Sequence, residues 1–426
     1  MSRPLGGALT YTAVATTTGK PGDTFAYHWV FDDGATSSAA SVAHTWTTPG
    51  SHTATVTATD RQLLNQATAS KTIVFDSYLW QTLSASSFYI HSPISGNLNA
   101  TTLISAGGLT PSSVLHANTY LYDGTTWTQV GSMAHPRSCF NMNQPLSVIA
   151  LPSGKAMVCG NTQVATGQNS TELYDPVAGT WSASGNMANN RAFFCYPVLL
   201  HDGRVMVWGG TDASATPNNV YEFYDPTAGT WSGSSTHLTT GDTYMCRPLL
   251  MADGRVAFFL PASAKLSIYD PVHDTWVNAP PIGSWVAFIN DATFAQGSDG
   301  NLYLFGLIYS DQTLTYRYNV VANTWTAMPV ASDNLNGRKA FSINDGKYIM
   351  LANYVKTAYP VHEGSIIFDV LAGAWLSGVY DYVDGVHMSS QARDYGYGIL
   401  NNRLVQFGAP NPTTPPYTNV EHFLGS

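Results

Sequence analysis

The strongest constraint on this chain is a repeat. An aromatic residue, an acidic or amide residue, a short turn and a tryptophan recur six times: Tyr122-Asp123 with Trp127, Tyr174-Asp175 with Trp181, Tyr224-Asp225 with Trp231, Tyr269-Asp270 with Trp276, Tyr318-Asn319 with Trp325, and Phe368-Asp369 with Trp375. Counted from Trp80, the tryptophans step by 47, 54, 50, 45, 49 and 50 residues. Between the markers a second element recurs, an apolar strand, a tight turn and another apolar strand, at residues 148–160, 197–210, 248–260, 292–306 and 340–353. Asp-Gly or Ser-Gly at those turns supplies the positive φ that a hairpin needs. A period near 50 with four short strands per unit predicts a β-propeller, because one small sheet cannot bury its own apolar face and must stack on the next.

The ends of the repeat set the blade count. Val420-Glu421-His422-Phe423 supplies a seventh aromatic marker with no tryptophan after it, and Trp80 stands with no blade before it. The two halves pair if residues near 78–84 form the outer strand of the last blade. The spacing thus predicts a seven-bladed propeller over 76–426, closed by an N-terminal outer strand.

Residues 1–75 read differently. Thr- and Val-rich segments alternate with period two and break at Pro21-Gly22, Asp33-Gly34 and Pro49-Gly50, the pattern of a small β-sandwich. Phe25, Tyr27, Trp29, Val56 and Ala58 are the expected inward positions. No Gly/Ser/Pro-rich stretch separates Val74 from Trp80, so a restricted angle between two domains is expected. The fold class is all-β throughout.

Three pieces of this first segment resemble the polycystic-kidney-disease (PKD) domain, an immunoglobulin-like sandwich. They are Trp29-Val30-Phe31-Asp32-Asp33-Gly34, His44-Thr45-Trp46 followed by Pro49-Gly50, and Val56-Thr57-Ala58-Thr59-Asp60. Ala58 stands where the family has a second Val, and Asp32 where it has Gly. The resemblance implies an extracellular spacer or adhesion module without catalytic machinery. The repeat in 76–426, with its glycine-terminated strands and Tyr-Asp-Pro turns, resembles the kelch repeat and galactose-oxidase-like propellers.

Charge excludes further classes. Lys and Arg number 18 against 27 Asp and Glu, a net −9, so no electrostatic footprint for nucleic acid exists. No apolar run reaches the length of about 18 residues that a membrane helix requires. Charged residues make up 11% of the chain and aromatics 12%, which gives a neutral polar surface of the kind common on secreted and virion proteins. The N-terminus shows no signal-peptide core. Cys139, Cys159, Cys195 and Cys246 lack zinc spacing and read as buried free thiols, with a Cys195–Cys246 bridge as the alternative.

Candidate binding residues lie where a propeller presents them, on the loops joining the second and third strands and on the connections between blades. The first group is Tyr309, Tyr354, Tyr359, His362 and Tyr417, suited to sugar stacking or a protein interface; ordinary variable loops are the competing reading. The second is Arg137, Arg191 and Arg338, each before a first strand. These read either as side chains hydrogen-bonded within the ring or as an anion cluster at the channel. Copper-radical oxidation would need a Tyr-His pair, a second His and Tyr, and a Cys beside a Tyr. The one Tyr-His dipeptide, Tyr27-His28, falls in the first domain. Asp384 and Asp394 are the carboxylates for a glycosidase reading, with turn-capping as the alternative, and Asp32, Asp33 and Asp60 are generic oxygen donors for Ca²⁺.

The expectation is a non-catalytic binding and assembly protein, extracellular or on a virion surface, such as a bacteriophage tail, fibre or capsid-decoration component or a surface adhesin. Its expected partners are other virion or surface proteins, host-surface glycans and further copies of itself, with no cofactor. A carbohydrate-active enzyme using the channel and a secreted glycan-binding module are the alternatives.

Overall fold

The computed structural model describes residues 9–14, 24–46, 50–62, 65–75, 79–86, 92–110, 112, 114–138, 148–162, 166–233, 235–237, 246–260, 265–282, 292–309, 312–330, 339–343, 345–352, 366–376, 396–400, 403–408 and 418–424. All regular structure among them is β. The chain divides into two compact units, Met1–Leu79 with Leu424–Ser426, and Trp80–Phe423.

The first unit has a four-stranded antiparallel sheet ordered Thr36–Ser37, Phe25–Phe31, Gly50–Asp60, Gln66–Phe75, and a two-stranded sheet of Leu9–Val14 with Ser41–Trp46. Trp29, Phe31 and Ala54 from the larger sheet close on Trp46 from the smaller. Of the expected inward positions, Trp29 and Ala58 are buried, while Phe25, Tyr27 and Val56 are half-buried. Asp32 does more than tolerate a turn. Its carboxylate accepts the Trp46 indole N–H at 2.7 Å and faces His52 Nδ1 at 3.2 Å. Burial acts upward on this carboxyl, and the bonds from Trp46, Thr53 and His52 outweigh it, leaving it below its ordinary value. Asp33 likewise meets His44 Nε2 at 2.8 Å.

The second unit is built from sheets in chain order, each an antiparallel meander. The first runs Ile94–Asn99, Thr102–Ala106, Thr119–Tyr122, Trp127–Val130, and the second Ile149–Ala150, Ala156–Cys159, Thr171–Asp175, Thr180–Ala183. The third has Val198–Leu199, Val205–Trp208, Val220–Asp225 and Thr230–Trp231, with Ser235–Thr236 added on Val220–Asp225. Next come Arg247–Leu250, Val256–Leu260, Lys265–Asp270, Thr275–Asn278, and then Thr293–Gln296, Leu302–Tyr309, Gln312–Asn319, Thr324–Ala327. The sixth is Lys339–Ile343, Tyr348–Ala352, Ile366–Asp369, Ala374–Trp375. The seventh takes Gly396–Leu400, Arg403–Gly408 and Thr418–Leu424 from the C-terminal end and its fourth strand, Leu79–Ser86, from the N-terminal side.

Apolar faces meet in succession from the first sheet to the sixth. Ile104 and Ala106 of the first sheet pack on Ala156 and Val158 of the second. Met157 and Cys159 pack on Val205 and Val207. Met206 and Trp208 pack on Val256 and Phe258, Phe259 on Phe294 and Leu304, and Phe305 on Ile349 and Phe368. Val405 and Phe407 of the seventh sheet pack back on Leu103, Tyr120 and Tyr122 of the first.

The repeated markers explain this stacking. In each of the six copies the tryptophan is directly across the ladder from its aromatic partner, as Tyr174↔Trp181 and Tyr318↔Trp325, with ring centroids 4.9–5.4 Å apart. Four of these indoles then reach the preceding sheet: Trp181 Nε1 donates to Thr119 Oγ1 and Trp231 Nε1 to Thr171 Oγ1, both at 2.9 Å, and Trp325 and Trp375 donate to the carbonyls of Pro280 and Pro329 at 2.8 Å. The acidic marker shapes the turn. Asp123 and Asp175 accept backbone N–H groups two and three residues on, the Asx-turn bond that fixes a tight reversal.

Candidate functional site

Antiparallel meanders place the loops between second and third strands at the same end as the connections between sheets. In the first three sheets this end is well described, and its geometry starts from glycine. The second strands run into Gly107-Gly108, Gly160 and Gly209-Gly210, all with positive φ. A Cβ on Gly107 would lie 2.2 Å from the Arg137 carbonyl oxygen, and one on Gly160 would lie 2.7 Å from that of Arg191. Glycine is needed there because the connection leaving each sheet lies directly on the strand end.

Two arginines exploit that closeness. The Arg137 carbonyl accepts from Gly108 N at 2.7 Å in the first sheet, while its guanidinium enters the second, donating to the Gly160 carbonyl, to Ser170 Oγ at 2.7 Å and to Glu172 Oε1 at 2.8 Å. Arg191 repeats the pattern one sheet later. Its carbonyl accepts from Asn161 N at 2.8 Å, and its guanidinium donates to the carbonyls of Gly209 and Val220 at 3.0 Å and to Glu222 Oε1 at 2.5 Å. Both arginine side chains are fully buried. Each glutamate also accepts backbone N–H groups of the connection: Ala134 and His135 for Glu172, Ala188 for Glu222.

Of the two readings of these arginines, the geometry matches the one with bonds inside the stack. Both guanidinium groups are shut from water and paired with a buried carboxylate, so neither is presented to an anion in solvent. Glu172 and Glu222 are ion-pair partners that the sequence reading does not single out. Their signal is present all the same: each stands two residues before the marker tyrosine, where the first, fourth and fifth repeats have Tyr120, Ser267 and Tyr316. Glutamate occurs there in the two repeats preceded by Met-Ala-x-x-Arg, at 133–137 and 187–191.

The other candidates are more scattered. Tyr309 ends a strand rather than sitting in a loop. Past a bulge between Phe305 and Leu307 the ladder resumes and runs to Tyr309↔Gln312, so the fifth sheet carries a long hairpin where the sequence suggests a polar loop. Gly306, at φ 85°, accommodates the bulge. Tyr354, Tyr359, His362, Tyr417, Arg338, Asp384 and Asp394 lie outside the described residues, as does the side chain of Tyr309.

The described cysteines match the first reading, buried free thiols, and not the alternative Cys195–Cys246 bridge. Cys159, Cys195 and Cys246 are free and buried. Cys195 faces Cys159, at 3.6 Å between sulfurs, rather than Cys246. Cys159 and Cys195 belong to the core between the second and third sheets, whereas Cys246 packs between the third and fourth. The S–H of Cys159 beside it, with Arg191 and Arg137 nearby, holds the Cys195 thiol below its ordinary value against burial. The same bond and burial push Cys159 well up.

At the opposite end, the turns between third and fourth strands expose an aliphatic residue at a shared position: Val177 (97% exposed), Val272 (84%), Val321 (96%) and Leu371 (75%). Neighbouring hairpins present Asp202 and Asp253, each paired with its own Arg204 or Arg255.

Comparison with known proteins agrees with this architecture. A family model for the PKD domain matches residues 6–75. No curated protein matches the chain. Among solved structures it is similar to a fungal alcohol oxidase of the AA5 family in complex with copper, with a TM-score of 0.58 at 14% identity, over 82% of this chain and 76% of that one. At that identity the likeness is one of fold. Among the described residues no three His, Cys, Asp or Glu side chains converge, and the Cys195 sulfur faces another cysteine. The chain therefore combines a segment that matches the PKD domain with an all-β unit of four-stranded sheets, and is similar in fold to that oxidase.

Proposed function

We propose that this is a non-catalytic binding and assembly protein acting outside the cell, its second unit a seven-bladed propeller closed by the strand Leu79–Ser86. The observation that carries the reading is the PKD match over residues 6–75, since such domains are typically extracellular binding or adhesion modules. Two further features support it. Arg137 and Arg191 are committed to Glu172 and Glu222 instead of being held open for a substrate. The turns between third and fourth strands of four sheets each hold one exposed aliphatic residue that a partner protein could cover.

The finer proposal is a virion component of a bacteriophage or a surface adhesin, contacting partner proteins or host glycans through Tyr309 at its strand end and through Tyr354, Tyr359, Tyr417 and His362. Phage portal, sheath or tail proteins encoded beside it would support the virion form, and a polysaccharide-utilisation cluster would count against it. A glycan array run in parallel with a turnover assay tests the whole reading. Binding without turnover, or no glycan binding together with capture of a virion or surface protein, fits it. A second reading, an enzyme of oxidase or carbohydrate-active type, is favoured by the fold likeness to the AA5 alcohol oxidase. Turnover of an alcohol or sugar by the copper-loaded chain would establish that reading and overturn the first.

A further inference from the structure

The Cys159 and Cys195 pair is the one cluster of nucleophilic side chains among the described residues that neither the fold nor the proposed function uses. Cys159 is the last residue of the strand Ala156–Cys159, and Cys195 lies in the connection leading to Val198. Their sulfurs stand 3.6 Å apart with exposures of 1% and 0%. A disulfide needs about 2.05 Å between sulfurs, a closure of the order of a small χ1 rotation in each residue.

The surroundings fix the backbone for such a bond. The Asn161 side chain brackets Cys195, its Nδ2 donating to the Cys195 carbonyl at 2.7 Å and its Oδ1 accepting from Cys195 N at 2.9 Å. The carbonyl of Arg191 is tied to Asn161 N on the same strand end. A Cβ on Gly160 would meet Cys195 Cβ at 2.9 Å, so the two segments already touch. The Cys159 S–H, then the charges of Arg191 and Arg137, act against burial and Glu222 to hold the Cys195 thiol below its ordinary value. An extracellular setting, as PKD domains typically have, is oxidising enough to make and keep a disulfide.

We propose that Cys159 and Cys195 form a disulfide that staples the second sheet to the connection entering the third, made by exchange with a low-molecular-weight disulfide. The Cys195 thiolate attacks one sulfur of the small disulfide, whose S–S bond breaks and releases one small thiolate. Cys159 gives up its proton and its sulfur attacks that of Cys195, expelling the second small thiolate. Two cysteine thiols are oxidised by two electrons, the small disulfide is reduced to two thiols, and the two cysteine protons end on them. Because both sulfurs are shut from water in the folded chain, exchange takes place while the chain folds or when the 191–197 segment opens.

The test uses the full chain, folded in a redox buffer of reduced and oxidised glutathione, then alkylated and digested without reduction. The expected result is a peptide linking Cys159 to Cys195, an intact mass lower by two hydrogens, and a melting midpoint that drops by several degrees with dithiothreitol. A Cys139→Ser, Cys246→Ser double variant keeps all three signals, and Cys159→Ser loses them. Alkylation of both residues as free thiols in the wild-type chain overturns the proposal without relying on any variant. A bond from Cys195 to Cys139 or Cys246, or a midpoint indifferent to reductant, overturns it as well.

Discussion

Arg191 donates to Glu222 at 2.5 Å with both side chains wholly shut from water, and Arg137 and Glu172 repeat the pair one sheet earlier at 2.8 Å. Removing one partner strands the other charge, whereas replacing both with apolar groups of similar size does not. Glu222→Ala is expected to lower the unfolding free energy by about 3–5 kcal/mol. The Arg191→Met, Glu222→Leu double variant should recover most of that loss. Urea denaturation of the three proteins measures both quantities, and an unaltered midpoint for Glu222→Ala would contradict the role assigned to the pair.

Gly107 and Gly154 both have positive φ but differ in what surrounds them. A Cβ on Gly107 would meet the Arg137 carbonyl oxygen, and one on Gly154 would meet nothing within 4 Å. Gly154→Ala should therefore cost only the conformational penalty of about 1–2 kcal/mol. Gly107→Ala should cost clearly more, because the connection leaving the first sheet must move. Equal shifts in thermal midpoint for the two variants would refute the difference.

The indole of Trp231 reaches across to Thr171 of the preceding sheet. Thr171→Val keeps the shape of the side chain and removes the acceptor, at a cost of about 1–3 kcal/mol, nearer the lower figure because Trp231 is only half-buried. In a double-mutant cycle with Trp231→Phe, the two losses should fall short of additivity. Strict additivity would show that the bond contributes nothing between sheets.

The turn aspartates make stability acid-sensitive. Backbone N–H of Thr126, then the hydroxyl and N–H of Thr125, hold Asp123 far below its ordinary value; the N–H of Ala178, Lys155 and the N–H of Val177 act downward on Asp175. Since folding depresses these values, the unfolded chain binds more protons as pH falls toward and below about 4, so the stabilisation is full above about pH 5 and is lost progressively beneath it. The urea midpoint should decline steadily from about pH 5 to pH 2. Asp123→Asn, which removes one of the titrating groups, should flatten the decline, and a parallel curve would count against the assignment.

The sheets are legible in the sequence because each repeat announces itself with residues that have one place to go. An aromatic and a tryptophan facing each other across a hairpin, with Asp or Asn starting the turn, leave little freedom in register. The completion of the last sheet by Leu79–Ser86 can be counted from an unpaired Trp80. The acidic partners of Arg137 and Arg191 are harder to see, since a glutamate within a strand resembles any solvent-facing residue until a buried arginine is placed above it. The hairpin reaching Tyr309 escapes a sequence reading for a related reason. Ser310 and Asp311 look like loop residues, and the bulge that carries the ladder past Phe305 depends on the φ of Gly306, which composition does not reveal.

The seventh sheet joins Leu79–Ser86 to Thr418–Leu424, strands more than three hundred residues apart in the chain. A ribosome emitting this chain delivers the fourth strand of that sheet first and then keeps it waiting through more than three hundred residues. Until Arg403–Gly408 arrives, Leu103, Tyr120 and Tyr122 of the first sheet have no Val405 or Phe407 to cover them. This sheet is therefore complete only after Thr418–Leu424 is made, and a nascent chain stalled before then presents an open flank that chaperones, proteases or another unfinished copy can engage.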